Sequence, residues 1–226
     1  MKTPLLDSLD ERSRSLLLKH LELVIEANKS VNLTRIDTWE DGLVLHVEDS
    51  LIGFPEISES PDGPYADLGT GGGFPGIPLA ILTGRKTTLV DARLKKTQML
   101  DGMIKELGLS DWLRTFAGRA ELLARKEPQS YSVVTARALA KLSVLMELAS
   151  PLLKMNGRLI CYKANIDKDE LMNAKRVQKL TGMHLISDRA TTLDEDINRR
   201  ILVFEKQAKP EAKLPRKEGA AQKTPL

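Results

Sequence analysis

Cysteine is almost missing from this chain: Cys161 is the single one in 226 residues. That excludes an internal disulfide and any multi-cysteine zinc or iron–sulfur site, so no metal centre is expected. No uninterrupted apolar stretch approaches the roughly 20 residues that cross a bilayer. The first ten residues carry two acids, Asp7 and Asp10, and lack the apolar core of a secretory signal. A cytoplasmic protein without a membrane partner is the expectation. Aromatic residues make up only 4% of the chain, and Trp39 and Trp112 are expected to pack rather than to serve as base-stacking platforms. Charge of one sign is also scarce, with a net of +3, but it is uneven. Lys206–Leu226 holds six basic residues against two acids, while the rest of the chain sums to −1. A basic tail on a near-neutral body points to a polyanionic partner; the plainer reading is a solvated end.

What is present is alternation. Asp7–Asn28 has leucines and valine at helical spacing, Asn28–Thr34 is rich in turn formers, and Thr38 with Asp41 resembles a capping box opening a helix to Ile52. Phe54–Pro64, with three prolines and a glycine, reads as a loop and a boundary. Strands are then predicted at Tyr65–Leu68, Thr87–Val90, Leu113–Ala117, Tyr131–Ala136 and Arg158–Tyr162. Helices are predicted at Gly76–Leu82, Lys95–Leu107 (with Leu94 on its apolar face), Arg119–Arg125, Leu142–Met155 (capped by Gly157) and Asp167–Leu180. Two closing strands, Met183–Arg189 and Arg200–Glu205, have no helix between them and should pair antiparallel. The prediction is an α/β, mostly parallel seven-stranded sheet with an antiparallel C-terminal strand. It divides as a helical N-terminal subdomain (1–54), a sheet domain (65–206) and a basic tail (207–226).

The chain is organised around Tyr65–Asp91, where Gly69 to Gly76 pack five glycines into eight residues between two strands. A phosphate-gripping P-loop needs Lys and Ser/Thr after its last glycine, and Ile77 and Pro78 stand there instead. Gly71-x-Gly73-x-x-Gly76 matches a dinucleotide fingerprint, but the turn begins at Gly69, directly behind Asp67-Leu68. An acid there repels a pyrophosphate and suits an ammonium group, as in S-adenosylmethionine. Asp91, 22 residues beyond Gly69, is placed to accept ribose hydroxyls. These residues favour the methyl donor over a nicotinamide cofactor and predict a Rossmann-like class I methyltransferase fold. Ala120 and Glu121 follow the third strand, where adenine would lie, and Arg137 follows the fourth, at the crevice where open α/β sheets bind ligands.

Several segments together resemble the RsmG (GidB) family of bacterial small-subunit ribosomal RNA guanine-N7 methyltransferases. They are N-K-S-V-N-L-T at Asn28–Thr34, H-V-E-D-S-L at His46–Leu51, D-L-G-T-G-G-G-F-P-G-I-P-L at Asp67–Leu79, T-A-R-A-L-A-K-L at Thr135–Leu142 and the ending Leu214–Leu226. The resemblance implies a monomer acting on 16S rRNA or a small-subunit assembly particle. It also implies cofactor contacts at Gly69, Phe74, Ala120, Glu121 and Arg137, beside Asp67, Gly71, Gly73 and Asp91. The chain departs at Leu45, where the family commonly has arginine; Arg35 is one possible substitute.

Guanine N7 carries an in-plane lone pair that is free at neutral pH, so no general base is needed to make the nucleophile. Alignment in a water-free site contributes up to about 7–11 kcal/mol. Substrate-positioning candidates are His46, Asp49, Arg137 and Lys163, with His46 and Asp49 on one helix face. His20 and His184 read as structural or exposed. Cys161, inside a strand, reads as an inert thiol rather than a nucleophile for pyrimidine methylation. Lys213, Arg216 and Lys217 are the candidate RNA-phosphate contacts. A nicotinamide-dependent oxidoreductase and a non-enzymatic RNA-binding module remain as rival readings.

Overall fold

The structure, a computed structural model, describes residues 2–31, 33–193 and 197–226. Met1 and Asn32, which fall in the predicted N-terminal segment and its turn, lie outside the described residues. Pro4 sits in the first turn of α1 (Pro4–Asp7), where its missing N–H costs nothing. Asp10 caps α2 (Glu11–Asn28) by accepting from the Ser13 amide at 3.0 Å. Leu17, Leu21 and Val24 form its fully buried face. Asn28 closes the helix with its side chain, whose Oδ1 accepts from the Leu33 and Thr34 amides at 2.8 and 3.0 Å. Thr38 caps the next helix as predicted, accepting from the Asp41 amide at 3.2 Å. That helix is not uniform: α3 (Trp39–Gly42) passes through a π-helical stretch (Leu43–Glu48) into α4 (Asp49–Leu51). A short α5 (Phe54–Ser58) follows.

From there strands and helices alternate: β1 (Tyr65–Leu68), α6 (Gly76–Thr83), β2 (Thr87–Asp91), α7 (Leu94–Glu106), β3 (Leu113–Ala117), α8 (Ala120–Lys126), β4 (Tyr131–Arg137), α9 (Leu142–Ala149) and β5 (Leu153–Lys163). Then come α10 (Lys168–Arg176), α11 (Gln178–Thr181), β6 (Met183–Thr192), β7 (Asn198–Lys206) and α12 (Ala220–Lys223). The seven strands form one sheet in the order β3-β2-β1-β4-β5-β7-β6. Only β7 runs against its neighbours, as the missing helix before it predicts. Side chains alternate across the sheet. Ala66, Leu68, Val134 and Ala136 pack towards α8, α9 and α10, while Tyr65, Val133 and Leu89 pack towards α6 and the N-terminal helices. Leu17, Leu21 and Val24 share one core with Phe74, Ile77 and Leu100, so the N-terminal helices form one layer of the sheet domain.

Several predicted boundaries move, each for a local reason. The supposed loop Phe54–Pro64 begins with α5, because Pro55 occupies a first turn, where proline is favoured. Its remainder is pinned by Arg85, which donates to the carbonyls of Ile57, Ser60, Pro61 and Gly63 at 3.3, 2.9, 2.7 and 3.2 Å. The helix predicted to Met155 stops at Ala149, since Pro151 has no N–H to continue it, and Gly157 lies inside β5. The helix predicted to Leu180 breaks at Val177. Leu94 and Trp39 are exposed rather than packed.

The tail is the largest correction. Arg216 grips the buried Glu147 with two bonds of 2.7 and 2.6 Å, and Ala221 is fully buried in the core over α9. Lys206, counted with the tail, is itself buried and donates to the Ser150 and Leu153 carbonyls at 2.7 and 2.8 Å. Of the three cations proposed for RNA, Lys213 and Lys217 are exposed, whereas Arg216 is engaged. No helix among the described residues is long and apolar enough to cross a membrane.

At the sheet's centre Asp67 is wholly buried. Its Oδ2 accepts from the Gly76 amide at 3.1 Å and its Oδ1 from the Thr135 hydroxyl at 2.6 Å. Burial raises its carboxyl from 3.8 to about 6, against the lowering effect of the Thr135 bond. The folded chain therefore holds this proton more tightly than the unfolded chain, and stability falls as pH rises through that window. Asp67→Asn keeps an oxygen acceptor for the Gly76 amide and turns an N–H to Thr135 Oγ1, whose hydroxyl then donates to Tyr65 instead of to residue 67. Relative to wild type it should gain stability between pH 4 and 7, by up to about 3 kcal/mol at about 1.4 kcal/mol per pKa unit. Urea midpoints across that range check this; a difference independent of pH would contradict the buried-acid account.

Candidate active site

The order of strands reverses between β1 and β4, and ligands of open α/β sheets bind outside the strand ends at such a point. The glycine loop follows β1 here. Gly69 and Thr70 donate to the Val90 carbonyl at 2.8 and 3.1 Å, which lays the loop over the end of β2. Gly71, at φ +58°, turns its amide onto Asp91 Oδ2 at 3.3 Å, while Asp91 Oδ1 accepts from the Arg93 amide at 2.9 Å. The loop then dives: the Gly72 carbonyl meets His20 Nε2 at 2.9 Å, and Phe74 is buried. At Gly76 the new helix comes so close to β1 and β2 that a Cβ would lie 2.4 Å from Leu89 and 2.8 Å from the Asp67 carboxylate.

Above the loop lies a crevice of about 370 Å³, lined by Gly69, Gly71, Asp91, Ala120, Glu121 and Gln222 among others. It accommodates a nucleoside-sized ligand, with Asp91 as acceptor at the end of β2. Ile77 and Pro78 are buried, so the positions where a P-loop would present Lys and Ser/Thr face the core. Asp67, Gly73 and Phe74, also expected to touch the cofactor, lie beneath this surface. Asp67 has both oxygens on protein donors, which corrects its expected role as partner of an ammonium group; it supports the loop from below. Phe74 is stacked between the rings of His20 and His46, at centroid distances of 4.3 and 4.6 Å. Glu121 is buried, and its Oε1 accepts from the Gly219 amide at 2.7 Å. Ala120 and Glu121 are thus what α8 presents to the crevice, with one oxygen of Glu121 already engaged.

A larger basin of about 1550 Å³ adjoins the crevice, and Arg93, Lys96 and Ala138 line both. His46, Asp49, Arg137 and Lys163 all line it, so the structure brings the four positioning candidates to one basin. Asp49 sits between two arginines: Oδ2 accepts from Arg137 Nη1 at 2.9 Å and Oδ1 from Arg199 Nε at 2.7 Å. Arg137 Nη1 also donates to the Leu45 carbonyl at 3.1 Å, and Nη2 approaches His46 Nδ1 at 3.4 Å. Burial, then the Arg137 charge, push His46 down to about 3, so the imidazole is neutral. With Nδ1 facing a guanidinium, the proton belongs on Nε2, which reaches Thr34 Oγ1 at 2.9 Å. Burial likewise lowers His20 to about 4. Lys163 is paired with Glu170 at 2.6 Å, and burial pushes the Cys161 thiol up, away from reactivity.

Sequence reasoning missed Arg199. The residue lies 150 positions from Asp49, and nothing in Asn198-Arg199-Arg200 marks which arginine faces the site. Alternation along β7 decides it, since Arg200 pairs with Asp188. Arg199 is thus the second cation that meets Asp49, whereas Arg35 stands exposed on the basin wall that Leu45 also lines. Lys29, Arg35, Arg93, Lys96, Arg137, Lys163 and Arg199 line the basin against Asp37 and Asp49, a balance that attracts polyanions.

Solved structures resemble the sheet domain. A geranyl diphosphate methyltransferase in complex with SAM superposes with a TM-score of 0.55 at 12% identity, over 70% of this chain and 84% of that one. The [4+2]-cyclase SpnF superposes at 0.56 with 13% identity, over 71% and 82%. At such identities the likeness speaks for the fold, a class I methyltransferase fold, and the cyclase shows that this fold does not dictate the reaction. Sequence relatives are more specific. Ribosomal RNA small subunit methyltransferase G of Alkaliphilus metalliredigens is 35% identical over 96% of this chain and 92% of its own. The protein of the same name from Staphylococcus aureus strain JH9 is 34% identical over the same shares. The model of the GidB family, rRNA small subunit methyltransferase G, matches residues 13–197, a span that carries the glycine loop, Asp91, Arg137 and the His46–Asp49 helix. The chain belongs to that family.

Proposed function

We propose that the protein transfers a methyl group from S-adenosyl-L-methionine to N7 of a guanine in 16S rRNA, by in-line displacement without an obligatory general base. It would act as a cytoplasmic monomer on the RNA or on a small-subunit assembly particle. The observation that carries the reading is the junction of two unlike spaces at the end of β4: a nucleoside-sized crevice over a glycine loop, opening beside a cationic basin. The names of the relatives, ribosomal RNA small subunit methyltransferase G, support rRNA as the acceptor.

When bound, S-adenosyl-L-methionine supplies a sulfonium methyl as the electrophile. Asp91 is in place to accept from ribose hydroxyls, and the Gly69–Gly71 backbone leaves room for close approach. Arg137 is held by Asp49 and the Leu45 carbonyl, so it presents a fixed donor to the basin. Asp49 and that carbonyl also offset cationic charge near the base, which becomes positive as N7 is alkylated. His46 is neutral and bonded to Thr34, which suits a positioning role and not proton transfer. Arg35 and Arg93 on the basin wall are the proposed phosphate contacts, joined by Lys213 and Lys217 from the tail.

Incubation with tritiated donor and 30S particles, 16S rRNA or tRNA should label an rRNA, and nucleoside analysis should return 7-methylguanosine. Label in any other nucleoside would refute the N7 assignment, and calorimetric binding of NAD(H) without S-adenosylmethionine would refute the cofactor. Gly76→Ala should weaken donor binding at least about tenfold, because its methyl group displaces either Leu89 or the Asp67 carboxylate under the loop. The rate of the methyl-transfer step should be flat from pH 7 to 9, since His46 does not titrate there and N7 needs no base. A single-turnover profile with an inflection in that range would require a catalytic base.

A further inference from the structure

The chain's last residues return to the crevice. Arg125 Nη2 donates to the Arg216 carbonyl at 2.8 Å, Gly219 donates to Glu121, and Leu226 packs against the core beside buried Ala221. Between these anchors Gln222 lines the crevice together with Gly69, Gly71 and Ala120. Its Oε1 accepts from Arg119 Nη1 at 3.1 Å, which leaves the Nε2 amide as its donor. Adenine presents ring-nitrogen acceptors along its edges. Glu121, the acid expected to meet the adenine, lines the crevice but has its Oε1 engaged by the Gly219 amide.

We propose that residues 214–226 form a strap that completes the adenosine end of the donor site, with the Gln222 amide donating to an adenine ring nitrogen. This rests on the reading of the crevice as the S-adenosylmethionine site. It gives the carboxy-terminal segment a cofactor-binding role beside the RNA-phosphate contacts proposed for Lys213 and Lys217. The anchors support that role: Arg216, a strongly placed cation of the segment, is bidentate on Glu147, and the backbone of Gly219 is fixed on α8.

The test uses the full chain and two variants that leave the strap's anchors in place. Gln222→Ala removes the amide. Gln222→Glu keeps an acceptor for Arg119 while removing the donor. Calorimetry with S-adenosylhomocysteine and with 5′-methylthioadenosine, which lacks the amino-acid end, should show both ligands weakened by the same factor in both variants. That factor is about three- to tenfold, the size of one hydrogen bond. Affinity for a 16S rRNA fragment, and its salt slope, should not change. Wild-type affinity for both ligands in the variants would overturn the strap's role. So would a loss confined to S-adenosylhomocysteine, which would put Gln222 at the amino-acid end, or a loss confined to RNA, which would make the segment an RNA arm. Failure of the wild-type protein to bind either nucleoside would instead strike the reading of the crevice itself.

Discussion

One hydrogen bond under the glycine loop governs the geometry above it. The Asp67 carboxylate, with no exposure to water, accepts from the Gly76 amide and so joins β1 to the first turn of α6. Everything between these residues must close in a short excursion, and Gly69, Gly71 and Gly73 meet that demand with positive φ. The loop's upper surface becomes the floor of the crevice as a result. A buried carboxylate is a costly way to make this joint, and Thr135 and Tyr65 share its remaining polarity in a chain of hydroxyls.

The second organising element is Asp49 with its two arginines. Arg137 ends β4, Arg199 begins β7, and Asp49 follows the π-helical turn, so one carboxylate draws three distant parts of the chain to a single point. Removing a partner from so buried a group leaves charge uncompensated, which is why such clusters fix geometry more than they add stability. His46 extends the cluster to Thr34 and lies flat on Phe74, which also meets the tilted ring of His20. The basin wall and the loop are therefore mechanically joined through one aromatic ring.

Much of this was legible in the chain. The alternation of strands and helices and the antiparallel closing pair follow from local pattern, and the placing of Arg137 at the crevice follows from where parallel strands end. Asp67 was found but its direction was not. In a strand as short as Tyr65–Leu68, alternation says that Tyr65 and Asp67 share a face but not which layer that face meets. Composition revealed the charge of the tail without revealing Glu147 and Glu121, its partners 69 and 98 residues away. Arg199 shows the same limit, since pairing across 150 residues leaves no trace in a local window.

The direction of β7 has a wider meaning. A parallel strand brings only its last residues to the edge where ligands bind, whereas a reversed strand brings its first. Arg199 reaches the basin in this way, from a part of the sheet that carries no glycine loop and no contact with the crevice. No described residue of β7 lines the crevice, so a change at the head of β7 alters the charge that meets Asp49 without disturbing the surface of the glycine loop.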